Sequence, residues 1–286
     1  MGSVNNNSSL LVQDSTVPRD GGHVLPEPPI PSTPTVNIIS ANCRGLNDDV
    51  DRSNFFHFLK SLNPHIFVLQ ETKLRNSSTL SFGWKGDCLS ESASESASGG
   101  VACLSLHPIK FDFLHSQDNG IILTFLVNDT NFLLVNVYAP NDNNSRKEFF
   151  SLVHSLISQF MNDDVHAIIL LGDFNYTSSL LDNIHNNASN QPSSLDALIE
   201  DFDLVDAYRS LNPQGSDITW SNTVHGTRID RLLISRGFIH LVKNFQHVPN
   251  PFSDHKLLSF SLNFNDVNVS SPNSAVKMTI IHPISH

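Results

Sequence analysis

Between residues 36 and 264 the apolar positions fall into short blocks of two kinds. The first is an uninterrupted run, clearest at Ala167-Ile168-Ile169-Leu170-Leu171, which is β-branched at two positions and closed by Gly172. A run of that length suits a strand buried on both faces. Strand signals also cover 36–41, 65–70, 99–104, 228–235 and 256–264. A hairpin of 121–127 with 132–137 is expected about Asn128-Asp129. The second kind recurs at helical spacing. Residues 52–62 place Phe55, Phe56, Phe58, Leu59 and Leu62 largely on one face. Ser145-Arg146-Lys147-Glu148 reads as a capping box with Ser145 at the N-cap. It opens a helix to about residue 161 that turns Phe149, Phe150, Val153, Leu156, Ile157 and Phe160 inward. A shorter helix is expected over 195–202. Paired strands with helices between them predict α/β or α+β layers, not an all-β sandwich.

The flanks differ in composition. Residues 1–35 are rich in Ser, Asn, Pro and Gly, with Pro26, Pro28, Pro29, Pro31 and Pro34 clustered, and read as a disordered leader. Residues 265–286 read as a polar tail, leaving 36–264 as one continuous domain. Glu91-Ser92-Ala93-Ser94 is repeated at once as Glu95-Ser96-Ala97-Ser98, which suggests a lengthened, solvated loop. Cys43, Cys88 and Cys103 lack the spacing of a zinc site or disulfide framework, and packing is the expected role of Cys43 and Cys103. No apolar run approaches the length of a transmembrane helix, so no membrane partner is expected. The opening residues also lack the basic-then-apolar pattern of a secretory signal, so an intracellular protein is expected. The formal net charge of −11 argues against nucleic-acid binding through a broad basic surface.

Polar residues gather where the apolar runs end. Asn42 follows the first, Glu71 the second, and Tyr138 the run at 132–137. Asp173 and Asn175 follow Gly172, Asp230 interrupts 228–235, and Asp254 and His255 precede the last strand. Strand-like residues two apart point the same way, so Asp173 and Asn175 would project together and could orient a water and hold an oxyanion. An Asx turn closing a core strand accounts for that pair equally well. The others have plain alternatives too: solvated caps at Asn42 and Glu71, a packed aromatic at Tyr138, an ordinary turn at Asp254-His255. Asp230 could form a surface ion pair with Arg228 or Arg231. As a set, oxygen donors with one histidine suit a hard divalent cation such as Mg2+ beside a phosphate. They do not suit zinc.

The order of these motifs carries a resemblance. Asn42, Gln70-Glu71-Thr72, Val137-Tyr138-Ala139-Pro140, Gly172-Asp173-Phe174-Asn175, Arg228-Ile229-Asp230 and Ser253-Asp254-His255 resemble the endonuclease/exonuclease/phosphatase superfamily over about residues 36–264. Asn42-Cys43-Arg44-Gly45-Leu46, Ser98-Gly99-Gly100-Val101-Ala102 and Thr219-Trp220 are similar to the apurinic-like endonuclease domain of LINE-type, non-LTR retrotransposons. The resemblance implies a four-layer α/β sandwich of the pancreatic DNase kind, two mixed β-sheets face to face with helices outside. It implies Mg2+, with Mn2+ as the alternative, held by Glu71 with Asn42 and Asp254 nearby. Asp173 would orient and deprotonate the attacking water, Asn175 would hold the scissile phosphate, and His255 paired with Asp230 would stabilise phosphoryl charge. Tyr138 would donate to the phosphate or stabilise the leaving group, and Thr219, Trp220, Asn222 and Arg228 would contact substrate.

The implied product is a nick in double-stranded DNA with a 3′-hydroxyl and a 5′-phosphate, made by a monomer in the nucleus. No reverse transcriptase is expected on this chain. Arg44 stands where repair-type members carry Asp, and Thr227 where abasic-site enzymes carry Trp, so a specific abasic pocket is not expected. Residues 221–227 would form a hairpin loop of the kind that helps retroelement enzymes read DNA shape at the minor groove. The competing expectations are another phosphodiesterase or phosphatase of the same fold (an RNA deadenylase, sphingomyelinase or inositol-phosphate phosphatase) and a non-catalytic nucleic-acid-binding derivative.

Overall fold

A computed structural model describes residues 35–76, 78–81, 86–91, 99–106, 109–117, 119–185 and 192–265. Residues 1–34 of the expected leader, nearly all of the expected tail, and residues 92–98 of the tandem repeat lie outside the described residues, while Thr35, expected in the leader, opens the first strand. In chain order the elements begin β1 (Thr35–Asn42), α1 (Asp49–Ser61), β2 (Ile66–Gln70), α2 (Ser78–Ser81), β3 (Cys88–Glu91), β4 (Val101–Ser105) and β5 (Phe111–Gln117). Next come β6 (Gly120–Val127), β7 (Thr130–Tyr138), α3 (Asn143–Phe160), β8 (Ala167–Asp173), α4 (Ser193–Asp201), β9 (Leu204–Asp206) and α5 (Ala207–Leu211). The last are β10 (Trp220–Ser221), β11 (Gly226–Thr227), β12 (Asp230–Ser235), β13 (Val242–Val248) and β14 (Leu257–Asn263). Short 3-10 turns occupy Leu180–Asp182 and Arg236–Leu241.

The longer strands form two six-stranded sheets, ordered β13-β14-β1-β2-β4-β3 and β5-β6-β7-β8-β12-β9, while β10 and β11 make a separate small hairpin. Each large sheet holds one parallel pair, β1 with β2 and β7 with β8. A parallel pair needs a crossover, and α1 and α3 supply them. All other pairings are antiparallel, so both sheets are mixed.

Strand alternation sorts the apolar side chains into layers. Ile38, Ile66, Val68 and Val101 of one sheet meet Leu123, Phe132, Leu134, Ile169, Leu171 and Leu232 of the other in a shared core. Their neighbours face outward. Ile39, Phe67 and Leu69 pack with Phe55 and Leu59 of α1. Leu133, Val135, Ile168 and Leu170 pack with Phe149, Phe150, Val153 and Ile157 of α3 and with Leu195 and Leu198 of α4. The result is the four-layer α/β sandwich. Coverage on both faces is why β2 and β8 are uninterrupted in sequence, and every residue of β8 is buried. Cys43 and Cys103 are free, buried thiols, as expected from their apolar surroundings.

Several boundaries correct the expectations. The cap of α3 is Asp142, not Ser145: the Asp142 carboxylate accepts the Ser145 N–H at 2.9 Å, which places Ser145 inside the first turn. Likewise α1 starts at Asp49 because Asp48 accepts the N–H groups of Val50 and Asp51. Gly172 does not end β8 by turning it. The strand continues to Asp173, and the glycine is required because a Cβ there would lie 2.0 Å from the Val137 carbonyl oxygen of the neighbouring strand. The hairpin turn is as expected, with Asn128 at φ 49° and Asp129 at φ 60°, the two left-handed positions of a type I′ turn.

Candidate active site

The two parallel pairs end at one place. The Asn42 amide, last residue of β1, donates to Asp173 Oδ2, last residue of β8, at 2.9 Å. Glu71 follows β2 and Tyr138 ends β7, and both open into the same cleft of about 650 Å³. Two antiparallel strands begin there. Asp230 at the start of β12 stands opposite Asp173 in register, and His255 lies two residues before β14 begins. Beneath the cleft a fully buried amide pair ties the sheets together. Gln70 Nε2 donates to Asn136 Oδ1 at 2.8 Å, and Asn136 Nδ2 donates to the carbonyls of Leu69 and Ala102 at 3.0 and 3.1 Å.

Inside the cleft His255 lies between two carboxylates. Its Nδ1 is 2.9 Å from Asp230 Oδ2 and its Nε2 is 3.9 Å from Asp173 Oδ2. Asp230 is therefore not the surface ion pair that Arg228 and Arg231 suggested; it is buried and faces the histidine. Asp173 Oδ1 accepts the Asn175 N–H at 2.9 Å, an Asx-type contact. Asn175 itself is left-handed (φ 51°) and its amide donates to the Ala139 carbonyl at 2.8 Å. The Asx turn is therefore present, and it, not strand alternation, sets Asn175 beside Asp173, because β8 ends at Asp173.

Burial and neighbouring charge set the protonation. Burial, then the nearby charge of Asp230, pushes Asp173 up to about 7, although His255, the Asn42 amide and the Asn175 N–H oppose the rise. Burial alone would lower His255, but Asp230, Asp173 and Asp254 outweigh it and lift the imidazole to about 9. Burial, with the carboxylates of Glu71 and Asp173, raises Tyr138 far above neutrality, so its phenol keeps the proton. The cleft thus pairs a carboxylate able to take a proton with an imidazolium and a neutral phenol able to donate.

Two groups of ligands could hold a cation. Asp173, Asp230 and His255 bring ligand atoms within 4.8 Å of one another. Their lone pairs are already engaged with each other and with Asn42, which favours proton chemistry over coordination. Glu71 and Asp254 line the same cleft and offer hard carboxylate oxygens, and Asp254 Oδ1 is buried without a hydrogen-bond partner. A bare buried carboxylate oxygen is costly unless something polar meets it, so this donor set fits a divalent cation. Asn42 lines the cleft with them: its side-chain oxygen accepts the Arg44 N–H at 3.1 Å while its amide donates to Asp173. One carbonyl lone pair remains for a cation.

The residues expected to touch substrate divide. Trp220 lines the cleft and donates its indole N–H to Asp254 Oδ2 at 3.1 Å. Thr219 is buried, and its hydroxyl accepts the N–H groups of Ile229 and Asp230, both at 3.1 Å, so it anchors Asp230 from behind. Asn222 folds its side chain onto the N–H groups of Val224 and His225 and shapes the tip between β10 and β11. Arg228 does not reach the cleft. It is 1% exposed and bound by Asp182 and Asp206, so the expected substrate contact gives way to a buried ion pair. Arg231 joins the same cluster, and Asp182 had not been singled out. The available signal was the Ser179-to-Asp182 spacing, which is a capping box here.

Comparison with known proteins places this geometry. A model of the endonuclease/exonuclease/phosphatase family matches residues 39–255. A Xenopus laevis protein described as the transposon TX1 uncharacterized 149 kDa protein is 27% identical over 238 residues, covering 79% of this chain. The chain spans about a fifth of that relative's length (18%). Among solved structures, the AP endonuclease LMAP from Leishmania major superposes with a TM-score of 0.64 at 18% identity, covering 82% of this chain and 89% of that one. The endonuclease domain of TRAS1, a telomere-specific non-LTR retrotransposon, superposes with a TM-score of 0.63 at 15% identity, covering 80% and 98%. At those identities the structural likeness speaks to the fold.

Proposed function

The chain belongs to the endonuclease/exonuclease/phosphatase family, and from that membership and the contacts around His255 we propose that it is a metal-dependent endonuclease that nicks double-stranded DNA in the retrotransposon manner. The observation that carries the reading is the placement of His255 between Asp230 and Asp173, with Asn175 fixed beside them. In this reading Asp173 orients a water and takes its proton as the water oxygen bonds to phosphorus. Asn175 and protonated His255 bind the non-bridging phosphate oxygens, where charge grows. Asp230 holds the imidazole orientation and keeps it charged. The bond from phosphorus to the 3′-oxygen breaks, and the Tyr138 phenol stands ready to donate to the phosphate or the departing oxygen. The products are a 3′-hydroxyl and a 5′-phosphate.

A divalent cation, Mg2+ or Mn2+, held by Glu71 and Asp254 with the Asn42 carbonyl at hand, would neutralise negative charge on the phosphate. DNA is favoured as substrate because the relatives include a transposon protein, an AP endonuclease and a retrotransposon endonuclease domain. Nuclear location and action as a monomer are parts of the same proposal. With a net charge of −11, DNA binding should be weak and strongly salt-dependent.

The test is nicking of supercoiled plasmid with Mg2+ at low salt, comparing wild type with Asp173→Ala and His255→Ala. Wild type should produce open circles that DNA ligase reseals, and both variants should be nearly inactive. Plasmid left intact by a protein that hydrolyses sphingomyelin or an inositol phosphate would overturn the reading.

A further inference from the structure

The two carboxylates assigned to the cation each carry a basic partner from the chain itself. Lys73 Nζ lies 2.7 Å from Glu71 Oε1, and Arg44 Nη1 lies 3.5 Å from Asp254 Oδ2. The two pairs are not equivalent. The Arg44 side chain is 55% exposed and its contact is long, as in ordinary surface pairs. The Lys73 pair is tighter, with side chains 33% and 17% exposed.

The backbone is shaped to hold it. Glu71 and Lys73 are both left-handed, at φ 53° and 54°, a conformation uncommon for such residues. Thr72 and Lys73 donate their N–H groups to the carbonyls of Gly100 and Gly99 at 3.0 and 2.9 Å, and the Asn47 amide donates to the Lys73 carbonyl at 3.0 Å. The lysine stem runs over Gly45, where a Cβ would come within 3.2 Å of Lys73 Cδ. Two chain segments, 45–47 and 99–100, therefore hold the stretch that brings this ammonium onto this carboxylate.

We propose that Lys73 is a built-in counter-cation of the Glu71 site, which a divalent cation must displace from the carboxylate in order to bind. The inference rests on Glu71 being a cation ligand, as in the functional reading above. Two positive charges cannot share one carboxylate oxygen without repulsion, so Lys73 sets how loosely the free protein holds its ion. A phosphodiester entering the cleft brings negative charge that can take over the ammonium. Cation and substrate should then bind with positive coupling, each strengthening the other.

The experiment is calorimetric titration of the whole protein with Mn2+ at fixed pH and ionic strength, with circular dichroism to confirm folding. Lys73→Met removes the charge and keeps the stem, while Lys73→Arg keeps the charge. Lys73→Met should bind Mn2+ about tenfold more tightly than wild type, and Lys73→Arg should stay within about threefold of it. Adding Glu71→Gln to Lys73→Met should abolish the gain. Equal or weaker Mn2+ binding by folded Lys73→Met overturns the inference and leaves the functional reading standing. Absence of Mn2+ binding in both wild type and Lys73→Met overturns it together with the assignment of a cation to Glu71.

Discussion

His255 turns Nδ1 to Asp230 Oδ2 at 2.9 Å, which leaves Nε2 as the ring atom that faces Asp173 and the cleft. Replacing Asp230 by Asn keeps the size of the partner but removes the charge that holds the imidazole protonated. Asp230→Asn is expected to lower the single-turnover nicking rate by about 10²–10⁴-fold, the scale of losing an oriented acid or base. Mn2+ affinity should change little. A rate within threefold of wild type would remove Asp230 from the chemistry.

Gly172 has no room for a side chain, since the Val137 carbonyl oxygen sits 2.0 Å from the position of a Cβ. Gly172→Ala must push β7 from β8 directly beside Asp173. We expect a loss of about 3 kcal/mol or more, or failure to accumulate soluble protein. Gly237→Ala is the control, because nothing lies within 4 Å of its Cβ position, and should stay within about 0.5 kcal/mol. Urea unfolding of the two variants decides the matter.

The buried cluster of Asp182 with Arg228 and Arg231 should show itself in acid. Burial alone would raise the Asp182 carboxyl, but Arg231 and Arg228 outweigh it and hold it well below the usual carboxylate range. A depressed folded-state value means the stabilisation is complete above about pH 4 and drains away as pH falls below it. Asp182→Asn leaves Arg228 and Arg231 with Asp206 as their one remaining carboxylate and should cost about 3 kcal/mol at neutral pH. Its unfolding free energy should also fall less steeply than wild type below about pH 4, as read from urea curves at a series of pH values. Parallel curves would show that Asp182 is not the group that titrates.

Thr219 supports Asp230 through a single hydroxyl that accepts two backbone N–H groups. Thr219→Val keeps the shape and strands both donors, with an expected cost of about 2 kcal/mol and a slower nicking rate. Thr219→Ser should restore most of both. Thermal unfolding and plasmid nicking measured on the same preparations would separate a local fault from general destabilisation: if Ser fails to rescue, the methyl packing and not the hydroxyl is what matters.

The parts of the fold legible in the sequence were those covered on both faces. The strands β2 and β8 announce themselves as unbroken apolar runs, and β1, β7 and β14 as runs broken by only one or two polar residues; the residues next to their ends proved to be neighbours. Strands β5 and β13 left no comparable trace, because each lies at a sheet edge with exposed and half-buried residues mixed along its length. Caps were ambiguous for a local reason. Asp142, Asn143, Asn144 and Ser145 can all accept a helix N–H, and only the backbone settles which one does. The role of Arg228 was hidden because its partner Asp182 lies 46 positions away, on a turn whose capping spacing is short and common. The histidine between two carboxylates was visible only as an inventory of residue types; their arrangement depends on the register of β12 against β8.

Strand β14 is inserted between β13 and β1, so the strand that opens the domain is paired on one side by the one that closes it. Synthesis on the ribosome runs from one end, and domains fold as units once enough chain has emerged. Asn42, Glu71, Tyr138 and Asp173 are all made long before their sheet can be completed. Asp254 and His255 arrive only with β14 itself. A growing chain would therefore lack both the imidazole and the strand it leads into until β14 has been made, and the domain would be silent up to that point.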